Sequence, residues 1–360
     1  MWSLIHTKIS PLLTFTSFLG VGDFVSVCVG IIGTGYWGRN HVRTFCALRD
    51  EGVVDDVIVC DSDEERAAAI GSEFNCRYTT DAESLSSLGV SMVTIATPTP
   101  SHATLAITMM HSGLDVLIEK PLAMGINEAE TVIRVSEDTG RLLLVGHVFR
   151  HHAGVRVAAE MIQAGKLGPI RHIVSERLAV REPREDIGVI AALGIHDLDI
   201  CVDLLGGNAP ISISGMASMS SIKGIEDHAE LQLEFPPIST SDEAIMASIH
   251  LSWRSRTRGK VRSLEVIGRD GSLHVDYMDH SAIWFHPHPG DAHGEVYGGF
   301  GAAPRKRIDI ENSEPALTAE LRDFVLRSSG QRTGPTRNGG DVGLKGMQLV
   351  EMALRATGLL

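Results

Sequence analysis

The stretch "VSVCVGIIGTGYWGRN", residues 25–40, constrains the fold more than any other part of the chain. An apolar, β-branched run reads as a buried strand. It ends in Gly33-Thr34-Gly35-Tyr36-Trp37-Gly38, and a helix pattern, "NHVRTFCALRD", follows directly. G-x-G-x-x-G alone is a weak signal, but strand before and helix after is the context it requires. Gly33 permits the tight turn, Gly35 lets backbone approach a pyrophosphate, and Gly38 allows the helix to pack close to the strand. The helix N-terminus then attracts the anion. Tyr36 and Trp37 lie within the same loop.

The chain continues in the same grammar. "VDDVIVCD" is a strand and "SDEERAAAIGSEF" a helix capped by Ser62 or Asp63. "SMVTIATP", "LDVLIEKP" and "RLLLVGHV" are further strands, with "SHATLAITMMHSG" and "NEAETVIRVSEDTG" as helices between them. Repeated β–α units with apolar strands predict an α/β fold, a doubly wound parallel sheet over residues 26–148. After residue 150 the grammar changes to runs of strands, including "DHAELQLEF", "AIMASIHLSW" and "RSLEVIGRDGSLHVDY", whose "GRDGS" is a hairpin turn. Residues 149–360 are expected to form a second, α+β domain with a large, mostly antiparallel sheet. Two amphipathic helices close it, placed to pack back on the first domain. Residues 1–25 are read as a dispensable extension.

Charge removes several functional classes. Lys and Arg number 32 against 45 Asp and Glu, a net charge of −13. That balance argues against a nucleic-acid or anionic-membrane surface. Aromatic residues make up 5% of the chain, too few for a base-stacking platform. The five cysteines, at 28, 46, 60, 76 and 201, include no C-x-x-C pair. The reading is a reduced, cytoplasmic protein.

Chemistry-bearing residues collect at the carboxyl ends of the strands, where ligands bind in open α/β sheets. Asp61 ends the second strand, 23 residues after Gly38. An acid there accepts from a ribose 2′-hydroxyl and repels a 2′-phosphate, which favours NAD over NADP. "ATPTPSHA" supplies Thr97, Pro98 and His102 as a floor beneath the cofactor. "VLIEKPLA" ends a buried strand with Glu119 and Lys120; a desolvated lysine there is suited to proton transfer. "ALGIHDLDICVDLLGG", residues 192–207, is helical in pattern, with His196 and Asp199 on one face and Asp197 on another. "GHVFRHHAG" brings Arg150, His151 and His152 past the same edge. No metal site is expected; "HPHPGDAHG", 286–294, has no defensible zinc spacing.

In this order and spacing, "GIIGTGYWGRNH", "ATPTPSHATLA", "EKPLA", "GHVFR" and "GIHDLDI" resemble the Gfo/Idh/MocA oxidoreductases, over roughly residues 26–357. The resemblance implies an N-terminal NAD(P)-binding Rossmann domain and a second domain whose sheet supports a homodimer or homotetramer. It implies catalytic roles for Lys120, in E-K-P, and His196, in D-x-x-x-H. The aspartate of that second motif falls on Ala192, with Asp199 as a candidate substitute. Arg150, His152 and Asp199 are expected to face substrate. The longer stretches are most similar to the nucleotide-sugar branch. The implied reaction is NAD-dependent oxidation of a ring hydroxyl, at C3, of a UDP-sugar such as UDP-N-acetylglucosamine. Arg181, Arg184 and the run Arg254, Arg256, Arg258, Lys260, Arg262 are candidates for its diphosphate. The alternatives are a myo-inositol or free-sugar dehydrogenase, or an NAD-binding sensor without catalysis.

Overall fold

A computed structural model describes residues 26–182, 187–220, 224–238, 243–287 and 305–360. Two sheets organise them. The first is built from β1 (Cys28–Ile32), β2 (Asp56–Cys60), β3 (Arg77–Thr79), β4 (Met92–Ile95), β5 (Asp115–Ile118) and β6 (Leu143–Val145). All its pairings are parallel, in the order β3-β2-β1-β4-β5-β6. The order reverses beside β1, so the glycine turn after β1 opens at the switch point where such sheets bind ligands. Helices α1 (Tyr36–Asp50), α2 (Glu64–Phe74), α3 (His102–His111) and α4 (Ile126–Thr139) connect the strands. β1 is buried along its whole length, which is why it reads as an unbroken apolar run.

The chain leaves β6 through a short 3₁₀ turn, Val148–His151, and enters α5 (Ala153–Gln163). The second sheet has eight strands in the order β14-β13-β12-β11-β7-β10-β9-β8. They are β7 (Ile170–Leu178), β8 (Ser212–Met219), β9 (Glu226–Phe235), β10 (Ile245–Ser252), β11 (Val261–Gly268), β12 (Gly271–Asp276), β13 (Ala282–Pro287) and β14 (Lys306–Asp309). Every pairing is antiparallel except β7 with β10. One face packs on α5 and on α6 (Ile195–Leu204), where Leu231, Leu233, Ile249, Leu251 and Val266 form its apolar core. α6 is entered through a π-helical turn, Ile190–Gly194.

The last two helices return to the first sheet. Leu321, Phe324 and Val325 of α7 (Ala316–Ser328) join the cluster holding Val29, Ile31 and Phe45. In α8 (Gly340–Ala356), Met347 packs with the β5–β6 side, while Leu349, Val350 and Ala353 pack with the second core. One helix therefore contacts both cores and fixes the two sheets relative to each other. Among the described residues no helix is long and apolar enough to cross a membrane.

Candidate active site

The glycine turn divides its work as the motif demands. Gly33 has φ +89°, and a Cβ there would meet Thr97 at 2.8 Å. A Cβ on Gly38 would lie 1.7 Å from the Gly33 carbonyl oxygen, so only glycine lets α1 approach β1. At Gly35 a Cβ would meet nothing within 4 Å. Packing therefore does not require this glycine, and the open space beside it fits a pyrophosphate. No side chain caps α1, and its first turn has no acid, so its N–H groups suit an anion. Tyr36 and Trp37 stand exposed, with ring centres 5.9 Å apart.

Asp61 is 6% exposed and accepts from Thr34 N and Oγ1, both at 2.8 Å, and from Asp63 N at 3.0 Å. Burial opposes ionisation, but these bonds and Arg66 hold the carboxyl below its usual range. A carboxylate has about four acceptor positions. Arg66 Nη1 adds longer contacts at 3.4 and 3.5 Å, the weakest of the set and the ones a ribose hydroxyl would displace. Asp61 also anchors the glycine loop itself, a task its position in the sequence does not reveal.

His102 joins the next two loops. Its Nδ1 lies 2.8 Å from the Pro121 carbonyl oxygen and its Nε2 2.9 Å from that of Thr97. Glu119 is buried, 3.0 Å from His41 Nε2, and it accepts from Lys120 N at 3.2 Å. Burial raises its pKa, but the His41 bond and nearby Lys120 outweigh that and leave it lowered. Glu119 thus buttresses the lysine loop. Its partner His41, on α1, closes the motif "GIIGTGYWGRNH", but nothing in the sequence pairs it with Glu119, 78 positions on.

Lys120 Nζ donates to the Ala192 carbonyl oxygen at 2.8 Å. The position that carries an aspartate in the motif still receives the lysine, through main chain. His196 is 7% exposed, its Nδ1 has no hydrogen-bond partner among the described residues, and its ring packs edge-on against Phe149 at 4.9 Å. Burial pushes its pKa well below the usual histidine value, and Lys120, Arg177, His147 and Arg262 push it the same way. This shift keeps the imidazole neutral at neutral pH and makes it a weak base.

The structure revises the expected substrate contacts. Arg150 is buried, bonded to Asp199 at 2.7 and 2.8 Å, to Asp203 at 3.1 Å and to the Arg337 carbonyl at 2.9 Å. Asp199 also lies 3.2 Å from His147 Nδ1, and this company holds its carboxyl down at about 2 despite burial. It does not substitute for the missing aspartate beside His196. His152 is fully buried, accepts from Gly154 N at 3.1 Å and packs against Tyr277 and His280; burial lowers its pKa to about 4. Arg150 and Asp199 bind each other, and His152 is enclosed at the start of α5 against Tyr277 and His280.

A different set faces the lysine and histidine. Asp197, expected on a different face from His196, is buried and takes a bidentate bond from Arg177 of β7 at 2.8 and 3.0 Å, plus Ser175 Oγ at 2.7 Å. The Arg177 guanidinium lies over the Phe149 ring at 4.3 Å and the Tyr277 ring at 5.2 Å. Arg262 of β11 stands directly opposite Arg177 in the strand register, on the same face. Asp197, the carboxylate beside the two, is already bound by Arg177. Burial lowers the Arg262 pKa, and Arg177 adds to it. The expected run of alternating cations does not form. Residues 254–260 precede the strand, Arg254 is bonded to Asp227, and Arg258 to Glu176 at 2.9 Å. Arg184 lies outside the described residues, as does "HPHPGDAHG" beyond Pro287. Sequence reasoning misses Arg177, Phe149 and Tyr277, because a lone arginine in a strand and two scattered aromatics carry no local signal.

A parallel sheet with an anion-ready glycine turn, whose edge lysine meets the turn leading into α6 and its histidine, is the arrangement of a nucleotide-dependent oxidoreductase. The chain belongs to the Gfo/Idh/MocA oxidoreductase family. Residues 27–147 match its NAD-binding Rossmann fold and residues 155–274 its C-terminal domain. The chain is 29% identical over 298 residues to UDP-N-acetylglucosamine 3-dehydrogenase of Acidithiobacillus ferrooxidans, covering 82% of this chain and 87% of that one. A solved structure of that enzyme superposes with TM-score 0.76 at 26% identity, over 92% of this chain and 98% of the other. Inositol 2-dehydrogenase of Rhizobium meliloti is 24% identical, over 92% of this chain and 97% of its own.

Proposed function

We propose that the protein is an NAD-dependent dehydrogenase that oxidises a ring hydroxyl, at C3, of a UDP-sugar such as UDP-N-acetylglucosamine. The observation that carries the substrate class is Arg262: a half-buried cation facing Arg177 in register, where the nearby carboxylate is already taken. Like charges directly opposite on one sheet face cost stability. An anionic substrate offsets that cost; a neutral polyol does not. The relationship to a UDP-sugar enzyme supports the same reading.

Gly33–Gly38 and the start of α1 would hold the pyrophosphate, and Asp61 the ribose. Arg66, 3.4 Å from Asp61, is held by that carboxylate and by Asp63, which favours NAD over a 2′-phosphorylated dinucleotide. The bound nicotinamide supplies the hydride acceptor. Lys120 orients the reacting hydroxyl and stabilises charge developing on its oxygen. His196, kept neutral by burial and neighbouring cations, is a weak base at rest and takes the hydroxyl proton as departure of the hydride acidifies it. Arg177, clamped by Asp197, holds Phe149 against the His196 ring.

The test is a substrate panel followed by NADH absorbance: UDP-N-acetylglucosamine, free N-acetylglucosamine, glucose and myo-inositol. The nucleotide sugar is expected to show the highest kcat/KM. Preferential turnover of myo-inositol or a free sugar would overturn the proposal in favour of a neutral-polyol dehydrogenase.

A further inference from the structure

Cys46, near the end of α1, and Cys76, between α2 and β3, hold their sulfur atoms 3.4 Å apart. They are 30 positions apart in sequence, with no motif to announce them. A disulfide is about 2.05 Å long. Bond formation needs the two sulfur atoms, already in contact, to approach by little more than an ångström.

The other three thiols sit in different surroundings. Cys28, Cys60 and Cys201 are buried, and burial pushes the first two up to about 11 and about 12 and the third higher still. Cys76 is partly exposed. Arg49 Nη1 reaches its sulfur at 3.7 Å while also bonding the Asn75 carbonyl at 3.1 Å; Arg49 Nη2 bonds that of Phe74 at 3.3 Å. The Cys46 thiol bond and then Arg49 bring Cys76 down to about 7, whereas Cys46 is raised by the same contact and by burial. Arg49 and partial exposure favour the thiolate at Cys76, while burial favours the thiol at Cys46. That asymmetry separates an attacking from a resolving cysteine.

We propose that Cys46 and Cys76 are a peroxide-reactive pair that forms a reversible disulfide across the α1 and α2–β3 surface. The Cys76 thiolate attacks one oxygen of a hydroperoxide. The O–O bond breaks, the departing oxygen takes a proton and leaves as water or alcohol, and Cys76 becomes a sulfenic acid. The Cys46 sulfur then attacks the Cys76 sulfur and gives up its proton. The S–O bond breaks, and the hydroxyl leaves with that proton as water. Two thiols lose two electrons to one peroxide. Exchange with a small thiol reverses the reaction. The closed loop ties a helix of the dinucleotide-binding sheet to the start of its edge strand, and constrains the unfolded chain over residues 46–76.

The experiment uses the full chain and one equivalent of hydrogen peroxide, followed by alkylation, non-reducing digestion and mass spectrometry. One linked peptide pair joining Cys46 to Cys76 is expected, reversed by dithiothreitol, with Cys28, Cys60 and Cys201 alkylated only after denaturation. Cys46→Ser is expected to yield a sulfenic acid at Cys76, trapped by dimedone, and no linked pair. Cys76→Ser is expected to slow peroxide consumption at least tenfold. The oxidised wild-type chain should melt a few degrees higher than the reduced one. Absence of the linked pair, or oxidation of the three buried cysteines at a comparable rate, would overturn the proposal.

Discussion

Lys120 Nζ bonds the main-chain carbonyl oxygen of Ala192 at 2.8 Å, across the boundary between the two sheets. A carbonyl dipole points the ammonium as a carboxylate does, but it carries no charge and cannot titrate. Lys120→Ala is expected to lower kcat by about 10²–10⁴-fold, the range for a general acid–base group. NAD binding, followed by fluorescence titration, should persist. Ala192→Asp restores a titrating neighbour that favours the charged ammonium. The pH at which kcat/KM falls on the alkaline side should then move upward in a pH–rate profile.

Gly35 and Gly38 are expected to separate binding from folding. Gly38→Ala drives a Cβ into the Gly33 carbonyl and should destabilise the fold by at least about 2–3 kcal/mol, read by urea denaturation. Gly35→Ala puts its methyl into open space. Its stability should stay within about 0.5 kcal/mol of wild type while KM for NAD rises at least about tenfold.

Arg262→Gln removes the like-charge contact with Arg177. The melting temperature should hold or rise, and KM for the nucleotide sugar should rise about tenfold or more, the loss of one charge-assisted hydrogen bond. A KM unchanged for every anionic substrate would remove Arg262 from the site.

Arg150→Met leaves Asp199 buried without its guanidinium, and breaking a buried pair from one side costs about 3–5 kcal/mol. Denaturant unfolding should register that loss. A variant of normal stability with only a raised substrate KM would return Arg150 to the substrate-contact role its sequence suggests.

Acid should destabilise the protein through its buried histidines. His151 and His152 are lowered by burial to about 4, from an unfolded value of 6.5. Between those values the unfolded chain binds protons that the folded one does not, so stability falls as pH drops from about 6.5 to about 4. Each histidine contributes at most about 1.4 kcal/mol per pH unit, about 3 kcal/mol in all. His152→Gln should flatten the stability–pH curve over that window, measured by urea midpoints at successive pH values.

Much of this architecture is legible in the amino-acid order alone. Apolar strands, helix patterns and their succession specify the parallel sheet, because a buried strand must be apolar throughout and a surface helix on one face only. The glycine turn is legible for a steric reason, borne out at Gly33 and Gly38. The antiparallel second sheet is legible as a class, but its one parallel pairing, β7 with β10, is not. Both neighbours of a strand present the same period-two pattern.

The sequence by itself determined which chemistry could occur: a lysine at the end of a buried strand, a histidine on a later helix, an acid after the second strand. Only tertiary structure decided which of the charged groups were free to use. Arg150 and Asp199 pair with each other at the crossing, and His152 is buried beside them at the start of α5. Arg262, one cation among several in its run, meets Arg177 across a strand pair whose nearby carboxylate is already bound. The reason is that charge and polarity belong to the residue, whereas solvation and pairing belong to neighbours brought together from distant parts of the chain.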